Sequence, residues 1–403
     1  MSLRDSGHDS HGFILTINGG SSSLKCSLFQ VGPPLTRVVS CKVDRIGFTE
    51  GTMTLMDMAG GVSERRTIQA AQHKDCVDPF LTWLEQERAM TGLVAIGHRV
   101  VHGGPRYREP QRLTPEVMDE LRRLSPCDPE HLPAEIELIE TLRRRYPTIT
   151  QVACFDTAFH RDMPRVARLL PIPRRYDDAG VQRYGFHGLS YAYLMKELRR
   201  IAPHAAHGRV ILAHLGNGAS MAAVCDGNSM DTSMGFTPTA GLPMSTRSGD
   251  LDPSLLSYLS RTEGMTVEQF HTMVNQQSGL LGLSETSSDL RDLLASERHD
   301  PRAAEAVGLF CYQAKKWIGS FTAALGGLDT LVFSGGIGEN SPVVRARICE
   351  GLGCLGVALD EAPNSMNAAI ISKEGSGVTV RVIPTNEESE IVSSVLQLLG
   401  QTR

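Results

Sequence analysis

At 403 residues the chain exceeds what one hydrophobic core usually serves and points to about two or three domains. A net charge of −5 leaves no basic excess for non-specific nucleic-acid binding. No apolar run approaches the ~20 residues of a membrane-spanning helix, and nine scattered cysteines without a CxxC pair argue against a zinc site or a disulfide framework and for a reducing compartment, the cytoplasm.

Residues 1–12 lack the apolar stretch of a signal peptide and read as a short disordered tail. From Phe13 to Gly32 the chain reads as strand, bend, strand. A plain hairpin needs only about two turn residues. Here Gly19, Gly20, Ser21, Ser22 and Ser23 crowd the bend, with Asn18 before them and Lys25 after. Backbone N–H groups, hydroxyls and one ammonium make a cradle for an anion such as phosphate, although a polar surface turn has the same composition. Further on, "TPEVMDELRRL" predicts a helix capped by Thr114 with Pro115 at its first position.

No low-complexity linker follows, so the domain boundary is expected within ordered chain, soon after His160. At Ile211, "ILAHLGNGASMAAVCDG" echoes the opening hairpin from Ile14: strand, Gly-rich turn, strand. A duplication and a chance similarity of Gly-rich hairpins both account for the echo. A third unit differs. The strand Thr330–Phe333 runs into Gly335, Gly336 and Gly338, and a helix is expected with Ser341 as N-cap and Pro342 at its first position. Last, "TNEESEIVSSVLQLLG" offers Thr385 and Glu388 as a capping box. Its stripe of Ile391, Val392, Val395, Leu396 and Leu399 needs a sheet to pack on. Strands alternate with helices throughout, so the class is α/β.

Common nucleotide and hydrolase motifs do not fit. "GGSSSLK" lacks the second Gly of a Walker loop, and "GNGASM" and "GIGENS" lack the third Gly of GxGxxG. There is no HExxH, GxSxG or EF-hand loop. What remains is a series of short segments dense in chemistry: "GHRVVHGG" (Gly97–Gly104), "FDTAFH" (Phe155–His160), "YGFHG" (Tyr184–Gly188), "HLGNG" (His214–Gly218), "TRSGD" (Thr246–Asp250), "SSDLRDL" (Ser287–Leu293), "GGIGEN" (Gly335–Asn340) and "TNEE" (Thr385–Glu388).

In this order the eight segments closely resemble the acetate kinase family, of the acetate and sugar kinase/Hsp70/actin superfamily, from about Ile14 to Leu399. The resemblance implies two related actin-like (ribonuclease H-like) domains around a nucleotide cleft. The first would span 13–160 and be completed by a C-terminal helix, 386–403; the second would span 161–385. It further implies reversible phosphoryl transfer from ATP to acetate, giving acetyl phosphate and ADP, with Mg²⁺ (or Mn²⁺) and a homodimeric assembly. Asn18 and Glu387 match metal-associated positions, and Lys25 a nucleotide-binding lysine. Arg99 and Arg247 match two essential arginines, Asp156 the active-site aspartate and His187 a transition-state histidine. Val101, Phe186 and Pro238 match a small apolar pocket for the acetate methyl. His214, Leu215, Gly216, Asn217 and Gly218 match one nucleotide-binding stretch; Asp289, Leu290 and Arg291 a second; Gly336, Ile337, Gly338, Glu339 and Asn340 a third.

The chemistry suits those residue types. Guanidinium forks grip a carboxylate or equatorial phosphoryl oxygens bidentately. A carboxylate nucleophile with a pKa near ~4–5 is already ionised at pH 7 and needs no general base, which favours a positioning or metal-organising role for Asp156. Three departures bear on substrate size and nucleotide affinity, one of them the less regular form of "PTAGLPMSTRSG" (Pro238–Gly249). Glu130 stands where an apolar residue usually lines the acid pocket and is expected to point away from the methyl, and Leu290 replaces a usual Phe. The alternatives are a propionate or butyrate kinase and a non-catalytic actin- or Hsp70-like nucleotide switch. A switch has no need of Arg99, Asp156, His187 and Arg247 together.

Overall fold

The protein is described here from a computed structural model, covering residues 12–20, 23–58, 61–87 and 92–400. The tail reading over 1–11, and Ser21 and Ser22 of the first loop, lie outside these residues. The chain divides into two compact units, Met1–Ala158 with Asn386–Arg403, and Phe159–Thr385.

The first unit is built on an eight-stranded sheet: β1 (Phe13–Gly19), β2 (Ser23–Gln30), β3 (Thr36–Asp44), β4 (Phe48–Asp57), β5 (Val62–Ala70), β6 (Leu93–Val100), β7 (Gln111–Arg112) and β8 (Thr150–Phe155). Their spatial order is β5-β4-β3-β2-β1-β6-β8-β7. Strand β1 is central and, apart from Phe13, buried along its length, as its apolar run requires. It pairs antiparallel with β2 and parallel with β6, and β6 pairs parallel with β8. One face packs Leu15, Ile17, Leu28, Val39 and Ile96 against Phe80, Leu81 and Leu84 of the helix His73–Glu87. On β6, Gly97 lies under the helix Glu387–Leu398, because a Cβ there would come within 2.4 Å of Ile391 and 2.9 Å of Val395. The apolar stripe of the last helix thus packs on the sheet of the first unit, and a glycine sets how closely.

The second unit has five strands: β9 (Arg209–Leu215), β10 (Ala219–Cys225), β11 (Asn228–Thr232), β12 (Thr330–Ser334) and β13 (Thr379–Val382), in the order β11-β10-β9-β12-β13. Here β9 pairs antiparallel with β10 and parallel with β12, while β10–β11 is antiparallel and β12–β13 parallel. The order β3-β2-β1-β6-β8 of the first unit repeats this pattern strand for strand, with the same strand directions. The echo between the two Gly-rich hairpins is therefore an echo of architecture. Both units carry the actin-like sheet.

Three local expectations fare differently in the fold. Thr114 caps its helix as expected, its Oγ1 accepting the Val117 N–H at 3.4 Å. The glycine turn after β12 is itself helical: Gly335–Asn340 is one short helix, and Ser341, at the start of the next, makes no side-chain cap bond. The last helix is capped by Asn386, whose Oδ1 accepts the Ser389 N–H at 3.2 Å, in place of the Thr385/Glu388 box. Glu388 is drawn instead to Arg37, 3.4 Å away across the unit.

Of the buried histidines among the described residues, His98 and His160 have strongly lowered pKa values. His98 on β6 donates from Nε2 to Gln151 Oε1 at 2.8 Å, and His160 donates from Nε2 to the Phe186 carbonyl at 3.2 Å with Ser229 Oγ at Nδ1. Burial pushes both rings down to about 4. A depressed folded-state value means that the stability they contribute is complete above the unfolded value and is lost as pH falls from about 6.5 towards 4. We expect about 3 kcal/mol per histidine to disappear over that window, read as a falling urea midpoint. Substituting His98 by Asn should flatten part of the fall, and an unchanged slope would refute the assignment.

Candidate active site

In the first unit the proposed groups gather at the carboxyl ends of the parallel strands β1, β6 and β8, where sheet geometry leaves a crevice for ligands. Arg99 is the penultimate residue of β6, and Asp156 follows β8 directly. Arg99 donates from Nε and Nη2 to Asp156 Oδ2, at 3.0 and 2.7 Å, and from Nη1 to the Gly19 carbonyl. Asp156 is 1% exposed. Burial opposes the Arg99 charge, but Asp156, Glu135 and Glu387 outweigh it and hold the guanidinium above its ordinary value. Three of the five N–H groups of a guanidinium are thus engaged among the described residues, which leaves two for a ligand. Val101, just past Arg99, is buried, whereas Glu130 is exposed, so its carboxylate is spared an apolar pocket.

Asn18, at the end of β1, donates from Nδ2 to Glu387 Oε2 at 2.7 Å and, more weakly, to Glu388 Oε1 at 3.5 Å. Lys25 is its direct cross-strand partner on β2 and is exposed. His73, which no motif indicates, fixes the other side of the first loop by donating from Nε2 to the Gly20 carbonyl at 2.6 Å. Mg²⁺ prefers oxygen ligands and is held by one or two carboxylates together with substrate phosphates. The Glu387 carboxylate beside the first loop supplies that kind of donor, so the residues present fit this ion.

In the second unit the hairpin between β9 and β10 carries the second loop. His187 precedes the helix Gly188–Ile201 in a left-handed conformation, φ 59°, which turns its ring back over this loop. Its Nδ1 meets Ser220 Oγ at 2.8 Å, and Ser220 Oγ in turn meets the Tyr191 hydroxyl at 2.5 Å. Nε2 therefore faces the loop. A Cβ added to Gly218 would sit 3.1 Å from His187 Nε2 and 3.8 Å from Arg247 Nη1, so both donors converge on the space above this glycine. Arg247 also leans on the Pro238 carbonyl at 3.4 Å. His214 stacks on His187, with centroids 4.3 Å apart, and its Nδ1 meets Ser190 Oγ at 2.8 Å. Asn217 is held through its carbonyl by the Ser245 N–H at 3.1 Å, Leu215 is buried, and Phe186 is 1% exposed.

The remaining stretches expected at the nucleotide are distributed differently. Gly335 has φ +76°, and a Cβ there would strike the Leu215 carbonyl at 2.7 Å, so only glycine permits β12 to turn directly into helix beside β9. Gly336 is exposed, with nothing within 4 Å of its Cβ position, and Asn340 donates from Nδ2 to its carbonyl at 3.0 Å. Gly338 is buried on the inner side of the same turn, and Ile337 is half-buried. Glu339 is engaged inside the protein, where its Oε1 accepts the N–H groups of Gly335 and Thr385 at 2.8 and 3.0 Å. Arg345, unpredicted and fully buried, donates to the carbonyls of Gly338 and Glu339 at 2.8 and 3.0 Å and holds this helix from behind. Burial lowers its pKa to about 10, so it stays charged at neutral pH. Asp289 caps the helix Leu290–Ser296 and pairs with Arg291, whose side chain is 88% exposed; Leu290 is buried.

A duplicated actin-like sheet, Gly-rich loops at strand ends, and histidine and arginine donors converging above one loop define a phosphoryl-transferring kinase. The model of the acetokinase family matches residues 13–393, and the chain belongs to that family. It is 44% identical to an acetate kinase of Methylocella silvestris over 96% of this chain and 98% of that protein. To a propionate kinase of Citrobacter rodentium it is 41% identical, over 96% of each. The crystal structure of Porphyromonas gingivalis acetate kinase superposes with a TM-score of 0.86 at 35% identity, covering 96% of this chain and all of that one. Among the described residues no helix is long and apolar enough to cross a membrane.

Proposed function

We infer that this chain is an acetate kinase. A carboxylate oxygen of acetate attacks the γ-phosphorus of ATP, the bond to the β–γ bridging oxygen breaks, and its electron pair leaves with ADP. The observation that carries the acid as acceptor is Arg99, a buried guanidinium braced by Asp156 with two N–H groups left to offer. A sugar hydroxyl would call for a base; a carboxylate calls for this clamp.

The roles of the other residues follow from their surroundings. Asp156 spends one oxygen on two Arg99 donors and orients that side chain, which supports positioning over proton transfer. His187 Nε2 and Arg247 Nη1 donate to equatorial oxygens of the transferring group, where charge develops. Ser220 and Tyr191 hold His187 through Nδ1 so that the other nitrogen is presented. The loops His214–Gly218 and Gly335–Asn340, with Asp289–Arg291 and Lys25, seat the nucleotide. Val101, Phe186 and Pro238 confine the alkyl end of the acid. Glu387, steadied by Asn18, would hold Mg²⁺, with Mn²⁺ as a substitute. When bound, that ion offsets charge on the phosphoryl oxygens. A homodimer working in the cytoplasm completes the reading, in keeping with the family and with nine free cysteines.

The test is trapping of acyl phosphate by hydroxylamine with ATP, Mg²⁺ and acids of one to four carbons. Acetate should lead, with propionate about 10–200-fold lower in kcat/KM, the scale of one extra methylene in a fitted pocket. Excess EDTA should abolish the signal. Propionate equal to or better than acetate would move the chain to the propionate kinases. No acyl phosphate from any acid would favour a nucleotide switch.

A further inference from the structure

No sequence motif singles out Glu135. It lies in the first turn of the helix Leu132–Arg145, among Leu132, Ile136, Ile139 and Leu142, and its side chain is 7% exposed. Its Oε2 accepts the Val101 N–H at 2.9 Å. Its Oε1 stands 3.7 Å from Arg99 Nη1 and has no hydrogen-bond partner among the described residues. The charged and titratable groups around it are Arg99 from β6, Asp156 after β8, Asp128, Glu130 and His131 just before its own helix, and His73; Glu130, His131 and His73 share with it a small cavity beside Gly19 and Gly20.

We propose that Glu135 is a positioning residue for the acid: it ties the Val101 backbone to the Arg99 guanidinium and admits a carboxylate to Arg99 only while its own carboxyl is neutral. The proposal rests on the reading of Arg99 as the acid clamp and adds a gate to it. With Glu135 neutral, one carboxylate fewer acts on Arg99, which keeps Asp156 as its direct partner and Glu387 near it, and an arriving carboxylate meets N–H donors. With Glu135 ionised, its carboxylate adds to those of Asp156 and Glu387 at Arg99, and a further anion is repelled. An ionised Oε1 would also draw Nη1 across the 3.7 Å gap and away from the acid. Burial is the main influence on this group. It pushes the pKa up to about 8 against the pull of Arg99 and the Val101 N–H, so the neutral form prevails at pH 7.

The experiment is the KM for acetate at saturating ATP and Mg²⁺ between pH 7 and pH 9.5, a range in which acetate itself does not titrate. For the unmodified protein KM should climb ~30-fold, while kcat changes little, if only the protonated form admits acid. Glu135→Gln keeps an acceptor for Val101 and carries no charge. Its KM should match the parent at pH 7 and stay within about twofold up to pH 9.5. Glu135→Ala loses the tie as well and should raise KM ~10-fold at every pH. If the alanine variant fails to fold, the glutamine variant decides alone. A flat parent profile, or the same alkaline climb in Glu135→Gln, would overturn the gate. Arg99→Ala separates the two levels, since an unchanged acetate KM in that variant would overturn the clamp reading, while a raised one leaves the gate to be judged by Glu135→Gln.

Discussion

Alanine at His187 or at Arg247 should lower kcat by roughly 10²–10³-fold with a smaller change in the KM values, the scale for losing one preorganised donor to developing charge. Both reach the space above Gly218, His187 through Nε2 and Arg247 through Nη1. Neither needs to touch the acid before transfer begins, so the loss belongs in kcat. The two variants combined should lose less than the product of the single losses, because donors sharing one charge are not independent. Gly218→Ala supplies a control that leaves both donors in place. Its methyl would stand 3.1 Å from Nε2, crowding the oxygen that belongs there, and should cost about 10-fold or more in kcat. Steady-state kinetics with acetate and ATP read all of these. A near-parental kcat in His187→Ala and Arg247→Ala would remove both residues from the mechanism.

The second large effect is expected at Asp156. Its removal leaves the Arg99 charge buried beside Glu135 without its main partner, and breaking a buried pair typically costs about 3–5 kcal/mol. Asp156→Ala should therefore lose stability in denaturant and fall by ~10²–10³-fold in kcat/KM for acetate, because a misaimed guanidinium no longer grips the acid. Asp156→Asn distinguishes positioning from proton transfer. Its amide oxygen still accepts from Arg99 Nε and Nη2, so a positioning role predicts partial activity with the shape of the pH–rate profile retained. A general-base role predicts that Asn is as inactive as Ala and that one limb of the profile disappears.

Much of this molecule could be read from its residues in order, and for a local reason. Gly-rich bends between apolar runs, Thr114 before Pro115, and the stripe Ile391, Val392, Val395 are short-range signals, and each lies where its pattern places it. The hairpin echo from Ile14 to Ile211 likewise reports a repeated strand order. The misreadings arose where a distant partner outbid a neighbour. Glu388 looks like half of a capping box, yet Arg37 on β3 attracts it, and Asn386 caps the helix instead. The GGIGEN segment looks like a loop, but Gly335 allows helix to begin directly at β12. Residue types and spacing by themselves determined the α/β class and the Gly-rich hairpins, whereas the two actin-like domains and the named arginines, histidine and aspartate came from the family resemblance that the eight segments carry. Only the tertiary structure decided how these groups are braced: Asp156 against Arg99, Ser220 and Tyr191 behind His187, Arg345 behind the glycine helix, and Glu135 between Val101 and Arg99. Apart from Tyr191 and Arg345, these partners stand more than thirty residues from the groups they brace. A hydrogen bond or a desolvated charge depends on distance in space, and only the folded chain sets that distance.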